Sequence, residues 1–484
     1  MTRYEKLRLV VIAGAVAGII IYFWKFTHVS LRTGLGHDDL MNIFFAWREP
    51  FDDVLKANIF FRTNVIRPFG ALFYALFFDW FGLDGFPYRV FLYTVLWMNV
   101  GLTYLFVSRL TNSAEIGLLA TLLHCYHAHF FPMYYGSGYC YDVLAFFFYY
   151  AAMTFALWTR RNGGYPGMAA LVLLIVLTAC GMNSKEAAAS LPAMLLIYEL
   201  IYHPPKSLSW IWREARAVLV TGSVSLMYLW ARFTGPNNLL NHPAYQPVFT
   251  MSRLLESSAS YLSDLFYRSV IFTPTTATIV LGSMLALTLV LRSRHLLFAW
   301  LLVLMAAAPI VFVPPRGLSA YYIALVGFAL FIAVLVVRAR EFIMRGRSSE
   351  AVLISQSAIF LLVLVSLWRW NVRHMPNPGD HWDQLALINE AISEFGGHPE
   401  WFQAGSSMLI INDPFPDYEW ATSFIALLSG KDNTIRVNTL VKLDPKPDKD
   451  ALASYRWIIG YRNGRYVELD LATLVLQPVP SRPQ

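Results

Sequence analysis

The sequence predicts a polytopic α-helical membrane protein of about eleven spans and one juxtamembrane helix, followed by a small C-terminal α/β soluble domain. Three observations predict it. The chain is 57% hydrophobic and 14% charged, with a mean hydropathy of +0.47, whereas soluble domains carry roughly 25% charged residues. Apolar runs of spanning length recur along it. Basic residues fall in short clusters between those runs, so the net charge of +7 reflects membrane orientation and not a nucleic-acid partner.

The first run, Leu9 to Trp24, follows a basic start and has no clear cleavage site before Tyr22-Phe23-Trp24. It reads as an uncleaved span. The run 67–82 decides the topology. It opens with Arg67-Pro68, is short and aromatic, and holds Asp79 near its end, as suits a helix lying at the interface. If it does not cross, Arg109, Thr159-Arg160-Arg161, Lys206 to Arg216, Arg292-Ser293-Arg294 and Arg338 to Arg347 all fall inside with the N-terminus. If it crosses, that bias is lost. The remaining spans centre on 88–108, 115–133, 139–158, 165–182, 187–202, 214–232, 270–291, 295–313, 317–337 and 351–368. The expected organisation is a transmembrane domain over 1–369, with an external loop 25–87 carrying the juxtamembrane helix 67–82, and an external domain over 370–484. Trp368, Trp370 and Trp382 read as interface anchors.

The tail changes composition, with more charge and more proline. Asp380 to Phe395 and Tyr418 to Leu428 read as helices. Ser407 to Asn412, Thr434 to Val437, Tyr455 to Tyr461 and Arg465 to Leu469 read as strands. Asn463-Gly464 is a hairpin turn signal. Cys125, Cys140 and Cys180 have no metal-site spacing and read as small buried apolar residues.

Ionisable residues at the ends of spans are costly and mark cavities or sites. The topology puts His37, Asp38, Asp39, Asp142, Lys185, Glu186 and Arg316 at external span ends, although the segments carrying them are far apart in sequence. Glycosyl transfer from a lipid-phosphate donor fits this set. It needs a carboxylate to take the acceptor proton and cations to hold the phosphate as charge develops on it. Asp38 or Asp39 is the expected base, with Asp38 ahead because Asp39 is better placed to cap a helix starting at Leu40. Arg316 and Lys185 are the expected phosphate ligands, and Arg67 rides the juxtamembrane helix within reach of the donor. Phosphate is a good leaving group, so one carboxylate gives direct displacement with inversion.

These residues resemble those of the GT-C glycosyltransferase superfamily, integral membrane enzymes that use polyprenyl-phosphate-linked sugars. The resemblance covers roughly residues 8 to 340. Gly36-His37-Asp38-Asp39 is similar to the acidic motif of the first external loop, where the family keeps its catalytic carboxylate. Arg67-Pro68 with the aromatic run, Gly82 and Tyr88-Arg89 resembles the juxtamembrane region and second-span entry. His127 to Asp142, and Asn183-Ser184-Lys185-Glu186 with Leu191-Pro192 and Tyr198-Glu199, resemble the branch that includes the tetratricopeptide-containing O-mannosyltransferases. Arg316 with Tyr321-Tyr322 and Gly327 resembles that branch's segment near the lipid phosphate, which implies Tyr321 as a further donor contact. Two features depart from the branch. Cys140 stands where an Arg is usual, and no tetratricopeptide array follows, so the acceptor (lipid, glycan or protein) does not carry over. The resemblance implies a hexosyltransferase. The compact tail favours a bacterial inner membrane with the site facing the periplasm.

Other readings compete. His124, His127 and His129 invite a zinc site, but 129 is rotated off the face shared by 124 and 127, and His127 reads better as a satisfied residue lining the site. A divalent cation, Mg or Mn, is a candidate at Asp38 and Asp39, since hard cations take oxygen ligands. Asp52 and Asp53 read as solvated or capping residues. A flippase or transporter of a lipid-linked carrier would show broken midplane helices and internal symmetry, and no repeat is present. An enzyme that transfers or polymerises oligosaccharides on the same fold is the third alternative.

Overall fold

The computed structural model describes residues 2–160, 164–207, 209–236, 238, 241, 246–375, 378–415, 417–418, 420–443 and 447–470. The basic residue Arg161 lies outside them, and so does the side chain of Trp382. The chain divides into two compact units that are not consecutive in sequence. One comprises Met1–Arg32, Phe51–Leu72 and Arg89–Pro378, and the other Thr33–Pro50, Phe73–Tyr88 and Gly379–Gln484.

The first unit is helical. Among the described residues, seven helices are long and apolar enough to cross a membrane. Each overlaps an expected span. The helix Arg3–Thr27 starts on a capping box, in which Thr2 Oγ1 accepts from Glu5 N and Glu5 Oε2 accepts from Thr2 N. The expected spans at 165–182 and 270–291 appear as the 17-residue helices Met168–Ser184 and Pro274–Val290, at the lower limit for spanning. Two others are interrupted. The run 115–133 is a helix only over Ala114–Cys125. Tyr126 and His127 are extended, His127 Nδ1 accepts from His129 N at 3.2 Å, and Pro132 opens a new short helix, Phe131–Tyr135. The run 187–202 is a 3-10 turn, Glu186–Ser190, leading into Leu191–Tyr202 with Pro192 in its first turn.

Two buried cations organise this unit. Arg89 donates to Ser30 O at 3.0 Å, to Ser137 Oγ at 3.3 Å and to Tyr134 O, tying the end of the first span to the segment that leads into Asp142. Arg160 makes a bidentate pair with Glu199 at 2.9 and 2.8 Å, bridging the helices Cys140–Arg160 and Leu191–Tyr202. Removing one partner of so buried a pair costs about 3–5 kcal/mol.

The second unit contains a four-stranded sheet of order β2-β1-β3-β4, with β1 Ser407–Ile411, β2 Arg436–Thr439, β3 Trp457–Arg462 and β4 Arg465–Glu468. β1 runs parallel to both β2 and β3, and β4 is antiparallel to β3 with Tyr461 opposite Tyr466. Leu409, Ile411, Leu440, Leu452 and Ile458 form its core. Asn463 and Gly464 turn the β3–β4 hairpin with φ of 50° and 82°, the type I′ geometry that an Asn-Gly pair encodes. The helix Pro378–Gly396 belongs to the same unit. Its Asn389 accepts from Leu35 N and donates to Thr33 O. Gly34, at φ 68°, is required there, since a Cβ would lie 2.2 Å from Asn389 Oδ1.

Candidate active site

In the second unit, the acidic pair sits at the start of the helix His37–Arg48. The helix begins at His37, three residues before the expected Leu40, because Gly36 in an extended conformation serves as the N-cap. Both aspartates therefore fall in the first turn, where the helix dipole favours negative charge. They part ways there. Asp39 is 1% exposed; its Oδ2 accepts from Gly36 N at 2.8 Å and its Oδ1 from Tyr74 OH at 3.0 Å. Asp38 is exposed and makes no hydrogen bond or ion pair among the described residues. Desolvation by the surrounding protein raises its carboxyl above the ordinary carboxylate value.

The ring of His37 stacks on Tyr418 at 3.8 Å and 14°, edge-on to Phe415 and Trp420. Two turns further on the same face, Phe44 stacks on Phe424 at 4.0 Å and 15°. Phe415, Tyr418 and Trp420 lie in the segment leaving the carboxyl end of β1, the edge of a parallel sheet where α/β folds place ligands. The acidic helix is thus held by the C-terminal α/β unit.

In the first unit, the polar residues gather in two linked pairings. Lys185 Nζ pairs with Asp142. Glu186 is held between Arg67 Nη2 at 3.3 Å and Arg232 Nη2 at 2.9 Å. Burial acts to raise the Glu186 pKa, but Arg67 and Arg232, with Lys185 behind them, outweigh it and hold the carboxyl at about 2. Arg67 also lies over the Tyr141 ring at 5.2 Å, with its backbone in the left-handed region at φ 50°, a conformation uncommon for residues other than glycine. Three cations meet two carboxylates here, an excess of one positive charge.

Arg316 is exposed in a turn that ends at Gly317 with φ 82°. Burial pushes the Tyr261 hydroxyl up to about 12, with Asp264 and Asp142 adding to the shift and Arg316 opposing it. Arg316 and Asp142 therefore act on the same ring. Tyr321 is buried, packs on Tyr261 at 4.7 Å and donates to Val303 O. Its hydroxyl serves the packing of helices. His127 is engaged at both nitrogens, Nε2 with Leu265 O at 2.9 Å and Nδ1 with His129 N.

Sequence reasoning does not single out Arg232. It closes the helix Arg216–Thr234, whose basic start is among the clusters that the sequence leads one to expect on the inner side. A cation at the opposite end was the available signal. Among the described residues, no group of three or more His, Cys, Asp or Glu is arranged to hold a metal ion. At the acidic pair, both Asp39 oxygens already accept hydrogen bonds, from Gly36 N and Tyr74 OH.

The Glu186 network makes a testable contribution to stability. Its folded pKa lies below the ordinary 4.5, so the stabilisation is complete above that value and is lost as pH falls toward 2. Glu186→Gln is expected to cost about 3–5 kcal/mol at neutral pH. In thermal unfolding of detergent-solubilised protein, the gap between wild type and variant should shrink below about pH 4.5. A constant gap would contradict the assignment.

No protein-family model matches the chain, and no curated protein matches it by sequence. Solved structures do. ArnT from Cupriavidus metallidurans bound to undecaprenyl phosphate is similar at a TM-score of 0.52 and 11% identity, covering 96% of this chain and 99% of that one. The same protein in the apo state gives 0.47 at 13% identity, over 88% and 85%. At such identity the likeness speaks for the fold alone: the chain has an ArnT-like fold.

Proposed function

We propose that this chain of GT-C fold is an inverting glycosyltransferase that moves a hexose from a polyprenyl-phosphate donor to a lipid, glycan or protein acceptor on the external face of the membrane. The observation that carries the reading is the division of labour in the acidic pair. Asp39 is buried and spent on structure, while Asp38 is exposed, unpaired among the described residues and of raised pKa. A base must be free to meet its proton. Asp38 takes the acceptor hydroxyl proton as that oxygen bonds to the anomeric carbon. The bond from the anomeric carbon to the phosphate oxygen breaks, and polyprenyl phosphate leaves with the electron pair. One displacement inverts the configuration. Arg67, Lys185, Arg232 and Arg316 hold the phosphate, supported by the excess of positive charge around Glu186 and Asp142. ArnT of the same fold binds undecaprenyl phosphate, which by analogy favours a bacterial inner membrane and a site facing the periplasm.

The test is transfer in proteoliposomes from a synthetic polyprenyl-phosphate hexose. The expected products are free polyprenyl phosphate and an acceptor glycoside of inverted configuration, in equal amounts. A product of retained configuration would overturn the single displacement. Movement of the lipid across the bilayer with no covalent product would establish a flippase instead.

A further inference from the structure

We infer that the membrane unit carries a headgroup site for an aminophospholipid, at the helix ends opposite Arg316. A cavity of about 200 Å³ opens where three helices begin, Arg3–Thr27, Ala114–Cys125 and Ser349–His374. Val11, Leu118 and Phe360 supply apolar walls, while Arg8, Glu115 and Gln356 supply the polar groups. Pockets for drug-sized ligands run to roughly 300–1,000 Å³; this one suits a headgroup whose acyl chains remain outside. Its place along the helices follows from Arg340. That residue pairs with Glu115 near the end of Tyr322–Ile343, and the start of that helix follows Arg316.

Two groups in the cavity are incompletely matched. Glu115 Oε2 accepts from Arg340 at 2.9 Å and from Gln356 Nε2 at 2.8 Å, but Glu115 Oε1 is buried with no partner among the described residues. Leaving a buried carboxylate oxygen unmet is costly. Arg8 lines the same cavity and makes no hydrogen bond or ion pair among the described residues. An unpaired cation and a carboxylate with one unmet oxygen thus belong to residues lining one small amphipathic space.

The ligand that completes both has a phosphodiester and a primary ammonium a few bonds apart, on an apolar tail. The phosphodiester pairs with Arg8. The ammonium donates to Glu115 Oε1. The exposed Leu361 and Leu362, beside Phe360, continue the apolar path for acyl chains. A choline headgroup keeps the positive charge but has no N–H to donate. A glycerol headgroup keeps the phosphodiester but has no cation. The inference rests on the chain lying in a membrane and is independent of the transferase reading.

The test is native mass spectrometry of the full-length protein exchanged into equimolar phosphatidylethanolamine, phosphatidylcholine and phosphatidylglycerol. Phosphatidylethanolamine is expected to be retained over phosphatidylcholine by about tenfold or more, as one charge-assisted hydrogen bond supplies. Glu115→Gln keeps an oxygen for Arg340 and should bring the ratio to about one. Arg8→Gln should lower retention of phosphatidylethanolamine and phosphatidylglycerol alike. Equal retention of the ethanolamine and choline lipids by the wild type would overturn the site, whatever the variants do. A preference unchanged in Glu115→Gln would overturn the role of Glu115.

Discussion

Asp38→Asn is expected to lower sugar transfer by about 10²–10⁴-fold, the range that positioned general bases contribute, with no change in thermal unfolding. Asp39→Ala is expected to do the reverse first. It strands Gly36 N–H and Tyr74 OH, each worth about 1–3 kcal/mol when buried and unmet, so melting falls before chemistry is measured. The two variants separate base from cap in one experiment. A pH profile adds an independent readout. Asp38 must be ionised to accept a proton, and desolvation raises its pKa from 3.8. Activity is then full above the raised value and is lost as pH falls through it, so the acid limb of kcat lies above that of a solvated aspartate. Full activity of Asp38→Asn would move the base elsewhere, whatever the pH profile.

The second large effect comes from the aromatic seat of the acidic helix. Tyr418→Ala and Phe424→Ala remove the ring faces on which His37 and Phe44 stack. Misplacing a reacting group by about 1 Å costs about 10²-fold, so kcat is expected to fall more than tenfold. The KM for donor should stay nearly constant, because the proposed phosphate ligands belong to the other unit. Tyr418→Phe keeps the ring and should restore the rate. A raised KM with unchanged kcat would mean that the aromatic residues serve the substrate and not the helix.

Local patterns in the sequence carried part of this. Asn463-Gly464 announces its hairpin because two positive φ values in succession suit few other pairs. The apolar runs announce helices, since burial in lipid demands satisfied backbone. The break at Tyr126 was less visible. Hydropathy continues through it, and only the histidine that satisfies its own neighbour's N–H shows why the helix stops. Lys185 and Glu186 stood out as adjacent charges, yet their partners Asp142, Arg67 and Arg232 come from distant segments. No local pattern reports that residues 33–50 pack with a sheet beginning at Ser407. That affinity lives in aromatic stacking between segments far apart in the chain.

The interleaving of the two units imposes an order on synthesis. The acidic helix leaves the ribosome early, and its seat at Tyr418 and Phe424 leaves it more than 350 residues later. At about 5–20 residues per second, that is a wait of tens of seconds with the helix inserted at the membrane and nothing to dock on. A chain cut short anywhere before the sheet has its spans and no placed carboxylate. On the proposed function, such a product would occupy the membrane without transferring sugar, so the segment carrying the sheet acts as the licence for the acidic helix.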